Sequence, residues 1–255
     1  MLRAAFGLIG ALALGLAAPA SAHDFFLLPE QFNVPRPGQT TIRATVSAAF
    51  PQLETVVAAD RIRHVGASGP GAPQLIMAVP LSNATALTLI APRPGVVVAG
   101  ASIHPRDVDY AEDRIDLIMQ EYRVAPEAAA AVRSLPNPRT LRVSSRRFAK
   151  TIICVGRCGD WPTAQRALGM PLEFVSVGSA LDHFRLLRNG QPLPNYPVDL
   201  AHQDGRRIHL NTDQRGIVHL PTSARGAVML FAAVMERPAA GERFGLDLSS
   251  LTVNR

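Results

Sequence analysis

Apolar and polar residues alternate along much of the chain, in short runs that proline and glycine interrupt. The segment 41–46 alternates residue by residue, and apolar runs with many β-branched residues recur at 75–79, 86–90 and 96–99. A period of two over four to eight residues is typical of a strand with one buried face. The N-terminal part is therefore predicted to form a β-sandwich.

One region has a helical period instead. Within 109–135, apolar residues recur at three- and four-residue spacing, and Pro126 is placed to open a second, short helix. The residues that carry this period are Ile115, Ile118, Met119 and Tyr122. We expect a short helical segment at 109–135, inserted into the β-rich part.

The C-terminal part returns to short alternating runs. Asn189 and Gly190 form a favoured hairpin dipeptide, and 227–234 is long enough to be a central strand. About seven short strands over roughly 85 residues are typical of an immunoglobulin-like or prealbumin-like sandwich. The fold class is predicted as mainly β, with an N-terminal domain at 23–160 and a C-terminal β-sandwich domain at 168–255.

The first 22 residues have the features of a secretory signal peptide. Arg3 supplies a positive charge, 4–18 is apolar, and the small-x-small pattern ends at Ala22. The apolar run is shorter than the roughly 20 residues that span a bilayer, and no later stretch is long and apolar enough to do so. We expect cleavage after Ala22, a periplasmic location and no membrane span in the processed chain.

Composition excludes several classes of protein. Hydrophobic residues make up 47% of the chain and charged residues 18%, which excludes a disordered chain and a coiled coil. The formal net charge of +6 comes almost wholly from arginine, since Lys150 is the only lysine. A dense basic face interleaved with aromatic residues is missing, so no nucleic-acid partner is expected.

Charge is also unevenly placed along the chain. Acidic residues are concentrated at 107–121, and basic residues follow at 133–157. The simpler interpretation is that the two segments neutralise one another across the surface, and the alternative is that either segment docks a charged partner.

Cys154 and Cys158 are the only cysteines, in a C-x3-C spacing. In an exported protein an even number of cysteines favours a disulfide. A redox pair and a pair of thiolate metal ligands are the alternatives, but redox pairs usually have C-x-x-C spacing at a helix N-terminus.

His23 becomes the first residue if cleavage follows Ala22. A free α-amine and an imidazole on one residue can chelate a late transition metal through two nitrogens. The simpler interpretation is that histidine is only tolerated at this position.

Several short motifs along the chain carry a family resemblance. The opening 22–29 reads AHDFFLLP, and further motifs lie at 34–38, 147–150 and 169–175. They resemble one exported bacterial family of unknown function, which includes nickel-uptake-associated (NikM-like) periplasmic proteins. The resemblance also includes the turn at 212–216 and the closing segment 250–253. The family often has a histidine after the early strand, where 46–50 reads VSAAF. It often has His-Met-Glu after the late strand, where 234–236 reads VME.

The resemblance implies a periplasmic binding or accessory protein in the uptake or handling of a transition metal. The implied cofactor is a divalent ion of nickel, cobalt or copper, with His23 as its ligand. The implied partner is a transport component of the inner or outer membrane. The alternative is a structural or protein-docking β-sandwich module with a decayed metal site.

No enzymatic activity is expected. The chain has no Gly-x-Ser-x-Gly elbow, no phosphate-binding glycine-rich loop and no His-Glu-x-x-His. An N-terminal histidine with a second histidine can hold copper for oxidative chemistry, but nothing else in the chain resembles such oxygenases.

Overall fold

The computed structural model describes residues 23–159, 161–237 and 243–255, and the predicted signal peptide at 1–22 lies outside them. Most of this part of the chain is β structure. Its strands, in chain order, are β1 (Asp24–Pro29), β2 (Asn33–Val34), β3 (Gly38–Ser47), β4 (Thr55–Val56), β5 (Ile62–Ser68), β6 (Gln74–Pro80), β7 (Thr85–Ala91), β8 (Gly95–Ala111), β9 (Thr140–Val155), β10 (Leu172–Ser176), β11 (His183–Arg188), β12 (Gln191–Pro192), β13 (Pro197–His202), β14 (Arg207–Asn211), β15 (Ile217–His219), β16 (Ala227–Glu236) and β17 (Phe244–Asn254).

Two helices lie between β8 and β9, α1 (Glu112–Glu121) and α2 (Pro126–Arg133), and a 3-10 turn covers Ala59–Arg61. The helical segment predicted at 109–135 is therefore confirmed, but the first helix begins at Glu112 and not at residue 109. Residues 109–111 are the end of β8, because they pair in antiparallel register with Arg142, Leu141 and Thr140 of β9.

The strands form three sheets. The central sheet has eight strands, in the order β14-β13-β16-β17-β9-β8-β5, with β2 paired to β9. A five-stranded sheet has the order β1-β3-β7-β6, with β4 paired to β3. A four-stranded sheet has the order β10-β11-β12, with β15 paired to β11.

Alternate residues of β9 belong to two different hydrophobic cores. Phe148 and Ile152 pack into the core that includes β10 and β11, whereas Ala149 and Ile153 pack into the core that includes β3 and β7. Successive side chains of a strand point to opposite faces of its sheet. The central sheet is thus buried on both faces, with one smaller sheet against each face and the helices beside a third core.

The central sheet joins the two predicted domains. β17 lies between β16 and β9, and it pairs with β9 in parallel over Phe244–Thr252. Mainly β structure with sandwich packing is confirmed, but the two sandwiches share one sheet. The boundary between 160 and 168 stays a prediction.

Two local predictions are confirmed. The hairpin from β11 to β12 turns at Asn189 and Gly190, whose φ angles of 49° and 78° are both in the left-handed region that this turn requires. Cys154 and Cys158 form a disulfide, so neither is a free thiolate ligand.

No helix in the described residues is long and apolar enough to cross a membrane.

A buried ion pair connects β9 to the four-stranded sheet. Lys150 Nζ lies 2.6 Å from Glu173 Oε2 and donates to the carbonyl of Phe174 at 2.8 Å. Glu173 also accepts hydrogen bonds from the amides of residues 168, 169 and 170. Burial lowers the pKa of Lys150, and the Glu173 carboxylate opposes that effect. Both side chains are almost inaccessible, so each neutralises a charge that the core could not otherwise hold.

We expect either single change in this pair, Lys150→Met or Glu173→Leu, to destabilise the protein by about 3–5 kcal/mol, because each leaves a buried charge unpaired. Glu173→Leu should destabilise it more, since it also removes the acceptor for three backbone amides. The double variant should lose less than the sum, with a coupling of about 1–3 kcal/mol. Urea unfolding measures all three.

The exposed pair of Arg43 and Glu30, 2.7 Å apart, provides the control. Glu30→Gln should change stability by about 1 kcal/mol or less. Additive losses at Lys150 and Glu173 would show that the two charges do not depend on one another.

Candidate functional site

A cleft of about 810 Å³ lies where the extended ends of β8 and β9 meet α1, β4 and the residue before β1. We call it the His23 cleft. Its polar lining consists of His23, Thr55, Arg61, His104, Arg106, Tyr110, Arg114, Glu121, Tyr122, Ser145 and Arg147. Its apolar lining consists of Val46, Ala48, Val56, Val57, Ala58, Ile103, Val108 and Ile118.

Strand geometry places one wall of the cleft. Arg106, Val108 and Tyr110 are two residues apart along β8, so they share one face of the strand. Ser145 and Arg147 of β9 line the cleft with the same spacing. A register shift between Ile103 and Arg106 interrupts the β8–β9 pairing just before this face begins.

Helix geometry places the opposite wall. Arg114, Ile118 and Glu121 are four and three residues apart in α1, which puts them on one face of the helix. Ile115, on the adjoining face, is completely buried and anchors α1 in the third core. The helix thus presents one cation and one anion to the cleft.

The charge in the cleft is strongly positive. Four guanidinium groups line it, against one carboxylate, that of Glu121. Arg147 Nη1 donates to the carbonyl of His23 at 2.7 Å, and none of the four arginines forms an ion pair with a carboxylate in the described residues. Unpaired guanidinium groups beside an apolar wall are suited to an anion with a carbon skeleton.

Burial affects the other titratable groups in the cleft. It raises the pKa of Glu121, and the charges of Arg114 and His23 oppose that rise. Burial also raises the pKa of Tyr110 and of Tyr122, so both phenols stay protonated and can donate hydrogen bonds.

His23 is exposed at the cleft, whereas the next residue is buried. The Asp24 carboxylate accepts a short hydrogen bond from Arg207, which also lies 3.3 Å from Asp199. Asp199 in turn contacts Arg123 at 3.1 Å and His209 Nδ1 at 2.7 Å. This network fixes the start of β1 against the central sheet and so holds His23 in position.

The structure brings together only part of the predicted metal chemistry. His23 and His104 both line the cleft. No group of three or more His, Cys, Asp or Glu side chains that could hold a metal ion occurs within residues 23–159, 161–237 and 243–255. A bare cation would also meet the four guanidinium groups. The residues present therefore do not form a complete metal site in the cleft, and His23 keeps only its own two nitrogens as the predicted chelate.

The predicted departures from the family pattern fall in two different places. Val46 and Ala48, from the segment where the resembling family often has a histidine, line the His23 cleft. Glu236, from the late segment, instead pairs with Arg188 at 2.7 Å. The Cys154–Cys158 disulfide lies elsewhere, beside Trp161 in a second cavity of about 300 Å³.

The two charged segments neutralise one another only in part. Arg139 donates from Nε to Glu112 at 2.7 Å and lies 3.8 Å from Asp116. Arg146 instead pairs with Asp247, and Lys150 pairs with Glu173.

Comparison with known proteins identifies the family. The sequence matches the family described as "Domain of unknown function (DUF4198)" over residues 20–236. The chain belongs to the DUF4198 family. In this DUF4198 protein the match covers the whole predicted N-terminal domain and residues 168–236 of the predicted C-terminal domain. No curated protein matches it. Among solved structures, the "D0-D1 domain of Intimin" is similar at 13% identity and a TM-score of 0.23, over 91% of this chain and 98% of that chain. That likeness is too distant to bear on function.

Sequence reasoning missed the arginine cluster. None of Arg61, Arg106 and Arg114 is singled out in the sequence. The available signal was the period of two through Arg106, Val108 and Tyr110. It was hidden because the helix was predicted to begin at residue 109.

Burial raises the pKa of Asp24 to about 6, against the opposing effect of Arg207. The folded protein therefore takes up a proton near pH 6, whereas the unfolded chain does so near the ordinary value of 3.8. Hence the contribution of Asp24 to stability rises as the pH falls from 7 to 4, by about 2–3 kcal/mol. We expect the difference in unfolding free energy between wild type and Asp24→Asn to shift by this amount in favour of wild type. Urea unfolding at several pH values measures it, and a difference that does not change with pH would contradict the assignment.

Proposed function

We propose that this DUF4198 protein is an exported periplasmic binding protein that holds a small organic anion in the His23 cleft. The observation that carries the proposal is the set of four arginines around an apolar-walled cleft, none of them ion-paired with a carboxylate of the described residues. Export is proposed from the N-terminal segment, and a binding rather than enzymatic role is proposed from the missing catalytic motifs.

The size and lining of the cleft support a ligand of this class. A volume of about 810 Å³ is in the range of sites for small molecules. Guanidinium groups bind carboxylates through two parallel hydrogen bonds, and the phenol of Tyr110 adds a further donor. Val56, Val108 and Ile118 provide an apolar surface for the carbon skeleton. With one carboxylate against four guanidinium groups, the cleft has three net positive charges to neutralise.

A panel of acetate, succinate, citrate and inorganic phosphate tests the proposal by titration calorimetry. We expect citrate, with three carboxylates, to bind most tightly and acetate least, with affinities that fall as salt is added. Arg106→Gln and Arg114→Gln should each weaken citrate binding by about tenfold or more, since a hydrogen bond to a charged group contributes roughly 1.5–3 kcal/mol.

Arg166→Gln is the matched control, because Arg166 is exposed and does not line the cleft. Its affinity for citrate should equal that of wild type. If no panel member binds, or if all three variants behave alike, the cleft is not a site for organic anions.

A transition metal on His23 is the second candidate function. His23 is exposed and lines the cleft, and its carbonyl accepts a hydrogen bond from Arg147. The resemblance to nickel-uptake-associated proteins supports nickel, cobalt or copper as the ion, supplied to or received from a membrane transport component. In this candidate the α-amine and imidazole of the processed chain bind the ion, while Arg147 is held by the carbonyl of the same residue.

Three proteins test this candidate: the chain beginning at His23, the same chain with one glycine before His23, and His23→Ala. We expect the first to bind Cu²⁺ or Ni²⁺ more tightly than the other two, because only it has both the free amine and the imidazole. Binding should weaken as the pH falls, since both nitrogens must be unprotonated. Calorimetry measures the metal affinity of each protein. Metal bound at any other site contributes equally to all three and does not affect the difference. Equal binding by all three would leave the structural or docking module as the better description.

A further inference from the structure

Two histidines lie side by side on the outer face of the four-stranded sheet. His183 begins β11 and His219 ends β15, and the two residues are directly opposite in the antiparallel register. Their neighbours Phe184 and Val218 point inward to the core, so the histidines point outward. Their side chains are 41% and 58% exposed.

The hydrogen-bond pattern brings these two side chains close together. The amide of Leu220 donates to the carbonyl of Asp182 at 2.8 Å, and the amide of Leu186 donates to that of Gly216 at 2.9 Å. These are the hydrogen-bonded positions of the ladder, so the pair formed by residues 183 and 219 is a non-hydrogen-bonded one. Side chains approach most closely at such positions. The two imidazole centroids are 4.5 Å apart, with ring planes at 81°.

Each imidazole has a carboxylate beside one of its two nitrogens. His183 Nδ1 lies 2.8 Å from Asp182 Oδ1, which is buried and receives no well-aligned hydrogen bond from the described residues. His219 Nε2 lies 3.4 Å from Asp213 Oδ2. The other oxygen of Asp213 accepts the amides of Arg215 and Ile217, both at 2.8 Å, so this carboxylate is fixed in place. Those backbone hydrogen bonds hold the pKa of Asp213 below its usual range.

A carboxylate that accepts the N–H of one imidazole nitrogen leaves the other nitrogen unprotonated and more basic. This is the arrangement found around histidines that bind metals. For His219 the hydrogen bond with Asp213 leaves Nδ1 free to bind a metal, whereas His183 has a close approach to Asp182 at Nδ1 and leaves Nε2 without a carboxylate beside it. One metal ion with two bonds of about 2.0–2.1 Å would bring these nitrogens to roughly 3 Å apart, which suits rings that are already adjacent.

We propose that His183 and His219 form a binding site for a late divalent transition metal, on the opposite side of the central sheet from the His23 cleft. Imidazole ligands favour copper, nickel and zinc over magnesium and calcium, and copper is bound most tightly of the divalent series. Water completes the coordination, because the described residues supply no third ligand. Two protein ligands make this an exchangeable site rather than a structural one.

The surrounding charge is compatible with a cation. Arg185 is the next residue of β11 on the same face and is partly buried. The carboxylates of Asp182 and Asp213 lie beside the two imidazoles and offset its charge. The four arginines of the His23 cleft belong to the other side of the central sheet. Of the two candidate metal positions, this pair has the more favourable electrostatics.

The test is a calorimetric titration with Cu²⁺ of the full mature chain that carries His23→Ala, which removes the other candidate site. We expect one Cu²⁺ per chain, and no binding of Mg²⁺ under the same conditions. His183→Gln or His219→Gln, added to this background, should weaken Cu²⁺ binding by roughly 100-fold or more. Asp213→Asn should weaken it by about tenfold, the lower end of the range for partners of metal ligands.

His64→Gln is the matched control, because His64 is an exposed strand histidine outside the pair. It should bind Cu²⁺ as the parent does. Paramagnetic broadening by Cu²⁺ should reach the ring signals of His183 and His219 before those of the other histidines. If His183→Gln and His219→Gln bind Cu²⁺ as tightly as His64→Gln does, or if the broadening begins elsewhere, the proposal is wrong.

Discussion

The burial of the central sheet on both faces is the constraint on which the rest of the structure depends. A strand in such a sheet has no face that can carry unpaired polar side chains, so β8 and β9 must be apolar at almost every position of their shared core. Lys150 is the charged exception, and it is tolerated because Glu173 and a backbone carbonyl surround its ammonium group. The same carboxylate accepts hydrogen bonds from three backbone amides of the preceding loop. One ion pair therefore fixes both the distance between two sheets and the path of the chain that connects them.

Much of the fold could be predicted from local patterns. The hairpin at Asn189 and Gly190 and the long strand at 227–234 follow from neighbouring residues, the disulfide follows from an even number of cysteines, and the structure has all three. The sharing of one sheet by two sandwiches could not be predicted in this way, because it depends on the parallel pairing of β17 with β9. The register of that pair joins residues about 100 positions apart, and no local period records it.

Of the residues in the candidate site, only His23 could be predicted from the sequence. His23 was found from a chemical argument about a processed chain terminus, and that argument does not depend on the fold. Arg61, Arg106, Arg114 and Arg147 come from four separate elements, and each resembles an ordinary surface arginine when taken alone. Likewise, nothing in the sequence marks His183 and His219, since the register between β11 and β15 is what brings them together.

The central sheet separates the four arginines from the histidine pair. Attraction for anions on one side and for cations on the other need not interfere, since the central sheet and the core that it shares with β10 and β11 lie between them.

The position of β17 has a consequence for the order in which this protein can fold. β17 comes last among the strands described, yet it occupies an interior place in the central sheet, between β16 and β9. A ribosome or a secretion channel delivers a chain with its amino end first. The edge of β9 that pairs with β17 therefore stays unpaired until the C-terminal end of the chain has been delivered. This arrangement favours folding only after the whole chain has been delivered. Earlier collapse would expose an unpaired β9 edge to other chains.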